Sequence, residues 1–232
     1  MSILKPVVFS FLTLALGIAT AEEFAPISGT NYTKQVFTDD FSSPVLSKKW
    51  GLYKSSSVVR DGVLVGIEQK DGGHAAVHSV TLDASGDVEL SVDIKFAGSK
   101  STGITFNQKG FAGSHAGHIC RVFITPTKVA LYDDKTGTFK NEIYAMKTAG
   151  TLDAATKELL KTKEASFPVK LESGKWYAVS VRIKGDVMQV FIDGKLIGSL
   201  RSEGIAHAAK DKIGLVTPGQ EINYDHVVIK IP

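Results

Sequence analysis

Histidine and arginine side chains beside apolar strand-forming runs are the residues with which this chain could do chemistry. Arg121 interrupts the apolar run 119–124, and His118 directly precedes that run. Because alternate residues of a strand face opposite sides of a sheet, Arg121 is expected to point away from the face that carries Cys120 and Val122. A guanidinium on an open sheet face could form paired hydrogen bonds to a sugar or a carboxylate. The alternative is a structural salt bridge.

Loop and strand-end residues complete the predicted ligand-binding set. His74 lies at the start of a strand, Glu68 and Lys70 lie in the loop before it, and His207 lies in a turn before another strand. Loops and strand ends are where a rigid β-scaffold builds its sites. The alternative for each of these residues is an ordinary surface position.

Acidic residues on one strand raise the question of glycoside hydrolysis, which needs two carboxyl groups about 5–9 Å apart. Asp87, Glu89 and Asp93 share one face of a strand, but Ser91 interrupts the series and no second acid follows Asp93. The spacing therefore favours a solvated strand face over a retaining glucanase.

No cofactor is predicted from the spacing of potential metal ligands. The histidines, acids and single cysteine lack the close spacing that is typical of transition-metal sites. The acidic pairs Asp39-Asp40 and Asp133-Asp134 could offer oxygen ligands to Ca²⁺, and solvated turns are the alternative. Cys120 has no partner for an internal disulfide and is expected to be a small buried hydrophobe.

The first residues have the pattern of an export signal. Lys5 precedes the apolar stretch 7–18, and the small residues 19–21 fit a cleavage site. The apolar stretch is too short for an ordinary membrane span, although an uncleaved anchor is the alternative. The sequence predicts a signal peptide at 1–21, a linker at 22–35 and one domain at 36–232, in a secreted or periplasmic protein.

The balance of charges indicates which partners to expect. The chain carries 27 Lys and Arg residues against 24 Asp and Glu residues, a formal net charge of +3, and has no basic block. We therefore expect no nucleic-acid partner.

Alternating apolar residues predict the elements that must position these side chains. Residues 176–199 read as a three-stranded meander, because alternation breaks at Gly185-Asp186 and again at Asp193-Gly194. The alternation of residues 87–96 indicates a strand with one buried face. Residues 152–165 have helical spacing, with a charged loop as the alternative. The pattern predicts an all-β protein, a sandwich or barrel with one short inserted helix.

The order of motifs resembles the 3-keto-disaccharide hydrolase-like family of concanavalin A-like jelly rolls. The resemblance covers most of residues 37–231 and departs from the family at Ile119 and Arg121, where the family tends to have Glu and Gln. Laminin G-like domains share several of these motifs. The motifs that carry the resemblance are Phe37-Thr-Asp-Asp-Phe41, Asp61-Gly-Val-Leu64, Ser101-Thr-Gly-Ile-Thr-Phe106, Gly117-His-Ile-Cys-Arg-Val122, Gly174-Lys-Trp-Tyr177, Asp193-Gly194, Ile213-Gly-Leu215 and Tyr224-Asp-His-Val-Val-Ile229.

The resemblance implies a jelly-roll β-sandwich that binds or acts on carbohydrate, with the ligand on its concave sheet face. Two alternatives remain open. One is an enzyme that cleaves 3-keto-glycosides with His and Glu as acid and base groups. The other is a structural or adhesion module without a small-molecule site. A fold alone does not decide among them.

Overall fold

The structure is a computed structural model that describes residues 24–83 and 85–232. The predicted signal peptide lies outside the described residues. Strands and turns dominate the described chain, and two α-helices lie between β9 and β10. The elements are β1 (Lys34–Asp39), β2 (Trp50–Tyr53), β3 (Val58–Arg60), β4 (Val63–Ile67), β5 (Ala76–Thr81), β6 (Val88–Phe96), β7 (Thr102–Asn107), β8 (His118–Ile124), β9 (Lys128–Asp133), α1 (Asn141–Thr148), α2 (Ala154–Thr162), β10 (Glu164–Pro168), β11 (Trp176–Lys184), β12 (Val187–Ile192), β13 (Lys195–Arg201), β14 (Lys212–Thr217) and β15 (Gln220–Ile231).

The strands form two antiparallel sheets. The eight-stranded sheet has the order β13-β12-β11-β6-β15-β4-β3, and β1 also pairs with β15. The seven-stranded sheet has the order β10-β9-β8-β7-β14-β5-β2. The inner faces of the two sheets pack together, which confirms the predicted β-sandwich.

The core consists of the alternating apolar residues of both sheets. Val92 and Ile94 of β6 are buried, and so are Cys120 and Val122 of β8. Cys120 is fully buried, and burial raises the pKa of its thiol, as expected of a residue that packs as a small hydrophobe. Arg121 is only partly buried, so the prediction that it faces away from the core is confirmed.

The meander predicted at 176–199 is present as β11, β12 and β13. Its second turn places Asp193 and Gly194 at φ 51° and 77°, the left-handed conformation that a two-residue hairpin turn of this type requires. The meander forms one edge of the eight-stranded sheet and carries no residue of the predicted site.

The predicted helix at 152–165 is present as α2, and its last residues instead begin β10. The side chain of Asp153 caps α2 by accepting a hydrogen bond from the backbone N–H of Thr156. A second helix, α1, precedes it and was not predicted. No helix in the described part of the chain is long and apolar enough to cross a membrane.

Residues 24–33, which the sequence pattern placed in a linker, lie against the outer face of the eight-stranded sheet. The Gln189 side chain bonds to the backbone of Ala25 and Ile27. Arg182 donates to the carbonyl oxygen of Ile27, and the buried Tyr32 hydroxyl donates to that of Ile183. This sheet face is therefore partly covered by the chain itself, whereas the seven-stranded sheet is where the predicted His118 and Arg121 lie.

Candidate functional site

A row of residues crosses the outer face of the seven-stranded sheet, one from each strand. Strand register aligns its members as direct neighbours, and their inward-facing neighbours pack in the core. Its β2–β7 half has small side chains or none, whereas its β8–β10 half is aromatic and charged. The outer-face row comprises Gly51, Ser79, Gly214, Thr105, Arg121, Tyr132 and Glu164.

A pocket of about 630 Å³ opens at the β2 end of the outer-face row, where Gly51 and Ser79 contribute to its lining. The missing side chain at Gly51 leaves backbone exposed there. A Cβ at Gly51 would approach Ser79 Oγ only to 3.4 Å, so the strand does not itself require glycine at this position. The volume is within the range of about 300–1,000 Å³ that is usual for small-ligand pockets.

An exposed aromatic ring lies beside this pocket. Tyr53 follows Gly51 by two residues in β2, so both face the same side about 7 Å apart. Its side chain is 55% exposed. The His74 ring packs edge-on against it at a centroid distance of 5.2 Å. His74 therefore lies at this end of the site, as a neighbour of Tyr53.

A β-bulge turns His118 to the same face as Arg121. Phe106 pairs with Cys120 but Asn107 pairs with His118, which leaves Ile119 as the extra residue in β8. Strict alternation would put His118 and Arg121 on opposite faces, because they are three residues apart. The bulge therefore brings two predicted site residues together, and nothing in the sequence alone reveals it.

A hydrogen-bonded chain fixes the His118 ring. Asn107 Nδ2 donates to Thr105 Oγ1 at 3.3 Å, so the Asn107 Oδ1 atom is free to accept from His118 Nδ1 at 2.8 Å. This arrangement puts the imidazole proton on Nδ1 and leaves a lone pair on Nε2. The hydrogen bonds of the described residues do not use His118 Nε2, so this atom is an available acceptor or base.

His118 is neutral at physiological pH. Burial, followed by the positive charges of Arg121, His115, His74 and Lys212 in that order, lowers its pKa to about 4. These cationic side chains therefore lie close enough to His118 to disfavour its protonated form. An unprotonated imidazole there can accept a hydrogen bond from a ligand hydroxyl across the neutral pH range.

The loop before β8 positions His118 at the start of that strand. Gly117 has φ 72°, and a Cβ there would lie 2.2 Å from the carbonyl oxygen of Gln108. Glycine is therefore required for the loop to close. The Ser114 hydroxyl donates to the His118 carbonyl oxygen, and His115 stacks on Tyr144 of α1 with ring centroids 3.9 Å apart. The unpredicted helix thus supports the loop that carries His118.

Arg121 is held by an ion pair and two aromatic rings. Its Nη1 donates to Asp134 Oδ1 at 2.5 Å, and its guanidinium carbon lies 4.4 Å from the ring centre of Tyr132 and 4.8 Å from that of Phe139. The Arg121 side chain is 19% exposed and that of Asp134 is fully buried. The structural salt bridge named as the alternative is present.

Burial, together with the charge of Asp133, raises the pKa of Asp134 to about 7, although the charge and hydrogen bond of Arg121 act in the opposite direction. Asp134 Oδ2 is buried and has no hydrogen-bond partner among the described atoms. The carboxyl group therefore depends on Arg121 for its stabilisation when it is ionised.

The other predicted site residues lie apart from His118 and Arg121. His207 Nε2 bonds to Gln108 Oε1 at 2.6 Å, beside the loop that precedes β8. Glu68 accepts from the backbone N–H of Gly219, in the turn between β14 and β15. Lys70 is exposed in the turn after β4. The described contacts join neither Glu68 nor Lys70 to His118, so the structure brings together a subset of the predicted set.

The strand acids considered for glycoside hydrolysis lie on the opposite side of the sandwich. Glu89 pairs with Arg182 at 2.5 Å, and Asp93 contacts His226 at 3.1 Å, both on the outer face of the eight-stranded sheet. They share no surface with the outer-face row.

The acidic pairs considered for Ca²⁺ accept hydrogen bonds from backbone and side-chain donors. Asp39 accepts from Phe41 N and Trp50 Nε1, and Asp133 accepts from Thr136, Ser202 and Gly204. Within the described ranges, no group of three or more His, Cys, Asp or Glu side chains has a metal-binding arrangement.

Solved structures of carbohydrate-active proteins share this fold. A sialidase matches with a TM-score of 0.60 and 18% identity over 87% of this chain, which corresponds to 19% of the sialidase. The carbohydrate binding module CBM66 from Bacillus subtilis matches with a TM-score of 0.53 and 12% identity, covering 81% of this chain and 99% of the module. The laminarinase from Rhodothermus marinus matches with a TM-score of 0.54 and 11% identity, covering 85% of this chain and 97% of the laminarinase. At these identities the likeness establishes the fold alone.

Family membership comes from the sequence itself. No curated protein matches the chain. The profile of the 3-keto-alpha-glucoside-1,2-lyase-like domain family matches residues 32–230, which confirms the resemblance that the motifs indicated. The chain belongs to the 3-keto-alpha-glucoside-1,2-lyase-like domain family.

Proposed function

We propose that this protein binds carbohydrate on the outer face of the seven-stranded sheet, in the pocket that opens over Gly51 and Ser79. The observation that carries the proposal is the pocket lined by Gly51 and Ser79, with the exposed ring of Tyr53 two residues along the same strand face. A sugar ring has apolar C–H faces and a polar hydroxyl rim, and an exposed aromatic ring beside hydrogen-bonding groups is complementary to both.

Polar groups on β8 and β14, next to the middle of the outer-face row, would orient the sugar. His118 Nε2 is an available acceptor, and Lys212 is the register partner of Asn107, which bonds to His118. Lys212 also lines the pocket. The pocket and the His118 network are therefore adjacent parts of one surface.

The test is a binding titration with a panel of neutral and acidic oligosaccharides. Loss of an aromatic anchor typically costs more than about 1 kcal/mol, so Tyr53→Ala is expected to weaken binding about tenfold. Trp176→Ala is the matched control, because Trp176 is 37% exposed on the other sheet. Equal affinity of the two variants would contradict Tyr53 as the anchor, and no binding by the wild type would leave the structural-module alternative in its place.

Cleavage of 3-keto-glycosides is a second candidate function, favoured by family membership and by His118. A neutral imidazole with a free Nε2 lone pair could remove a proton from a bound sugar. The neighbours of His118 are Arg121, which is paired with Asp134, and the ring of Phe139.

Incubation with 3-keto-glycosides separates the two candidates. If the protein is an enzyme, turnover occurs in the wild type and falls at least about a hundredfold in His118→Gln, the range for loss of a general base. Binding without turnover in the wild type would exclude the enzyme and leave the binding protein.

We also propose that the mature protein acts outside the cytoplasm. The signal pattern of residues 1–21 supports export, and cleavage after Ala21 would retain the segment from Phe24 that docks on the eight-stranded sheet. Terminal sequencing of the exported protein should find Glu22 first; retention of Met1 or Ser2 would contradict export by cleavage.

A further inference from the structure

Lysine side chains surround the pocket beside the outer-face row. Besides Gly51 and Ser79, its lining includes lysines from three separate parts of the chain and contains no aspartate or glutamate. The lysines are Lys48, Lys49, Lys109 and Lys212.

None of these lysines forms an ion pair within the described part of the chain. The ion pairs of the described residues use other cations, and the lysine ammonium groups with hydrogen bonds are those of Lys161, Lys163 and Lys210. Nearby acids have other partners. Asp211 accepts from the backbone N–H of Lys109, and Asp39 accepts from Trp50 Nε1.

This concentration of charge is local. The whole chain has a formal net charge of only +3, yet one pocket has four unpaired ammonium groups around it. A concave surface lined by one sign of charge raises the local concentration of ligands of the opposite sign. Lysine is a point charge with three donors, which suits carboxylate, sulfate and phosphate oxygens.

The lysines belong to the same surface as the proposed sugar site. Lys49 is two residues before Gly51, and Lys212 pairs in register with Thr81, two residues after Ser79. The charge of Lys212 also contributes to the lowered pKa of His118. A ligand on the pocket floor would thus have cationic groups around its rim.

We propose that the ligand is an acidic polysaccharide, whose ring packs on Gly51, Ser79 and Tyr53 and whose anionic groups bind the pocket lysines. This inference rests on the proposed carbohydrate-binding function and specifies its ligand class. The anionic group is a ring carboxylate or a sulfate ester, since both present the oxygens that the lysines would bind.

Titrations with defined probes test the inference. The probes are a polygalacturonate oligosaccharide, a carrageenan oligosaccharide, a laminarin oligosaccharide, inorganic phosphate and a DNA duplex. We expect Lys49→Gln/Lys212→Gln to weaken binding of the acidic oligosaccharides about tenfold, because each surface charge contributes a factor of a few. Added salt should weaken it further. Comparison of the carboxylated and sulfated probes assigns the anionic group.

The matched control is Lys100→Gln/Lys195→Gln, which removes the same charge from exposed positions outside the pocket. It should bind within about twofold of the wild type, since the effect of distant charges is screened. Thermal unfolding confirms that each variant is folded.

Five results would overturn the inference, and the last two also decide the proposed function. The first is an equal loss in the control pair, and the second is unchanged binding in Lys49→Gln/Lys212→Gln. The third is DNA or phosphate binding as tight as that of the acidic oligosaccharides. If laminarin binds as tightly as the acidic probes and Tyr53→Ala abolishes it, the proposed function stands and this inference fails. If no oligosaccharide binds, both fail.

Discussion

Arg121 Nη1 on β8 donates to Oδ1 of the buried Asp134, the residue directly after β9, at 2.5 Å. The guanidinium lies between the rings of Tyr132 and Phe139. This pair belongs to the rigid wall of the site. Arg121 therefore positions the aromatic end of the outer-face row, and the open pocket lies at the other end.

Removal of Arg121 should destabilise the protein strongly. Arg121→Gln leaves the Asp134 carboxyl buried without a cationic partner, and breaking a buried pair in this way costs about 3–5 kcal/mol. Denaturant unfolding at pH 8, where ionised Asp134 needs its partner, measures the loss in the free energy of unfolding. The double variant Arg121→Gln/Asp134→Asn removes both charges and should lose less than the single variant. A double variant at least as unstable as Arg121→Gln would contradict the ion-pair interpretation.

The tautomer of His118 should depend on Asn107. Nitrogen-15 NMR should show the His118 proton on Nδ1 and a pKa of about 4. Asn107→Asp replaces the amide with a carboxylate that stabilises the protonated ring, so the pKa should rise by about one unit or more. Asn31 lies in the segment on the other sheet, so Asn31→Asp should leave the pKa of His118 near its wild-type value. A proton on Nε2 in the wild type would remove the free acceptor from the site.

Acid should destabilise the fold through buried histidines. Burial lowers the pKa of His78 to about 4 from 6.5, and the hydroxyl of Ser57 bonds to its Nε2. Between those pH values the unfolded chain binds more protons, so the free energy of unfolding falls as the pH drops from 6.5 towards 4. Each pKa unit is worth about 1.4 kcal/mol, so His78 alone contributes about 3 kcal/mol.

Asp134 acts in the opposite direction over the same range. Its folded pKa of about 7 lies above its ordinary value of 3.8, so its contribution to stability is complete at low pH and is lost as the pH rises towards 7. Asp134→Asn removes this compensation. Unfolding titrations at pH 7 and pH 4.5 should therefore show a larger acid loss in Asp134→Asn than in the wild type. Equal losses would indicate an ordinary pKa for Asp134.

The loop that carries His118 should tolerate no side chain at Gly117. In Gly117→Ala the Cβ would lie 2.2 Å from the Gln108 carbonyl oxygen at a φ of 72°. Strain of this kind costs about 1–3 kcal/mol, and the measurement is the unfolding midpoint. Gly110→Ala is the control, because Gly110 has a similar φ of 76° but nothing within 4 Å of a Cβ. Equal shifts in the two variants would show that steric contact with Gln108 is unimportant.

The fold was predictable where side-chain alternation is strict. Val92 and Ile94 identified a half-buried strand, and Asp193-Gly194 identified a hairpin, because local rules fix both. Helix α1 was not predicted, since Lys140 at its N-terminus provides no side-chain cap and only Ile143 is buried. Its stability comes from tertiary contacts that the sequence does not display.

The site was only partly predictable for a related reason. Alternation placed Arg121 on the outer face, but a bulge at Ile119 was needed to bring His118 beside it, and no sequence signal marks that bulge. The pocket joins Lys49 to Lys212, which are far apart in the chain, through strand pairing alone. Glu68 had suitable chemistry but lies at the turn that contains Gly219.

The most direct test of the account is an oligosaccharide binding isotherm for Gly51→Val. Its new side chain would add bulk where Gly51 lines the pocket, while the Cβ meets Ser79 at an ordinary contact distance of 3.4 Å, so we expect the fold to be retained. Ala178→Val, exposed on β11 of the other sheet, is the control. We predict that Gly51→Val loses oligosaccharide binding and Ala178→Val retains it, both with wild-type unfolding temperatures. Wild-type affinity in a folded Gly51→Val would contradict the assignment of this pocket as the carbohydrate site.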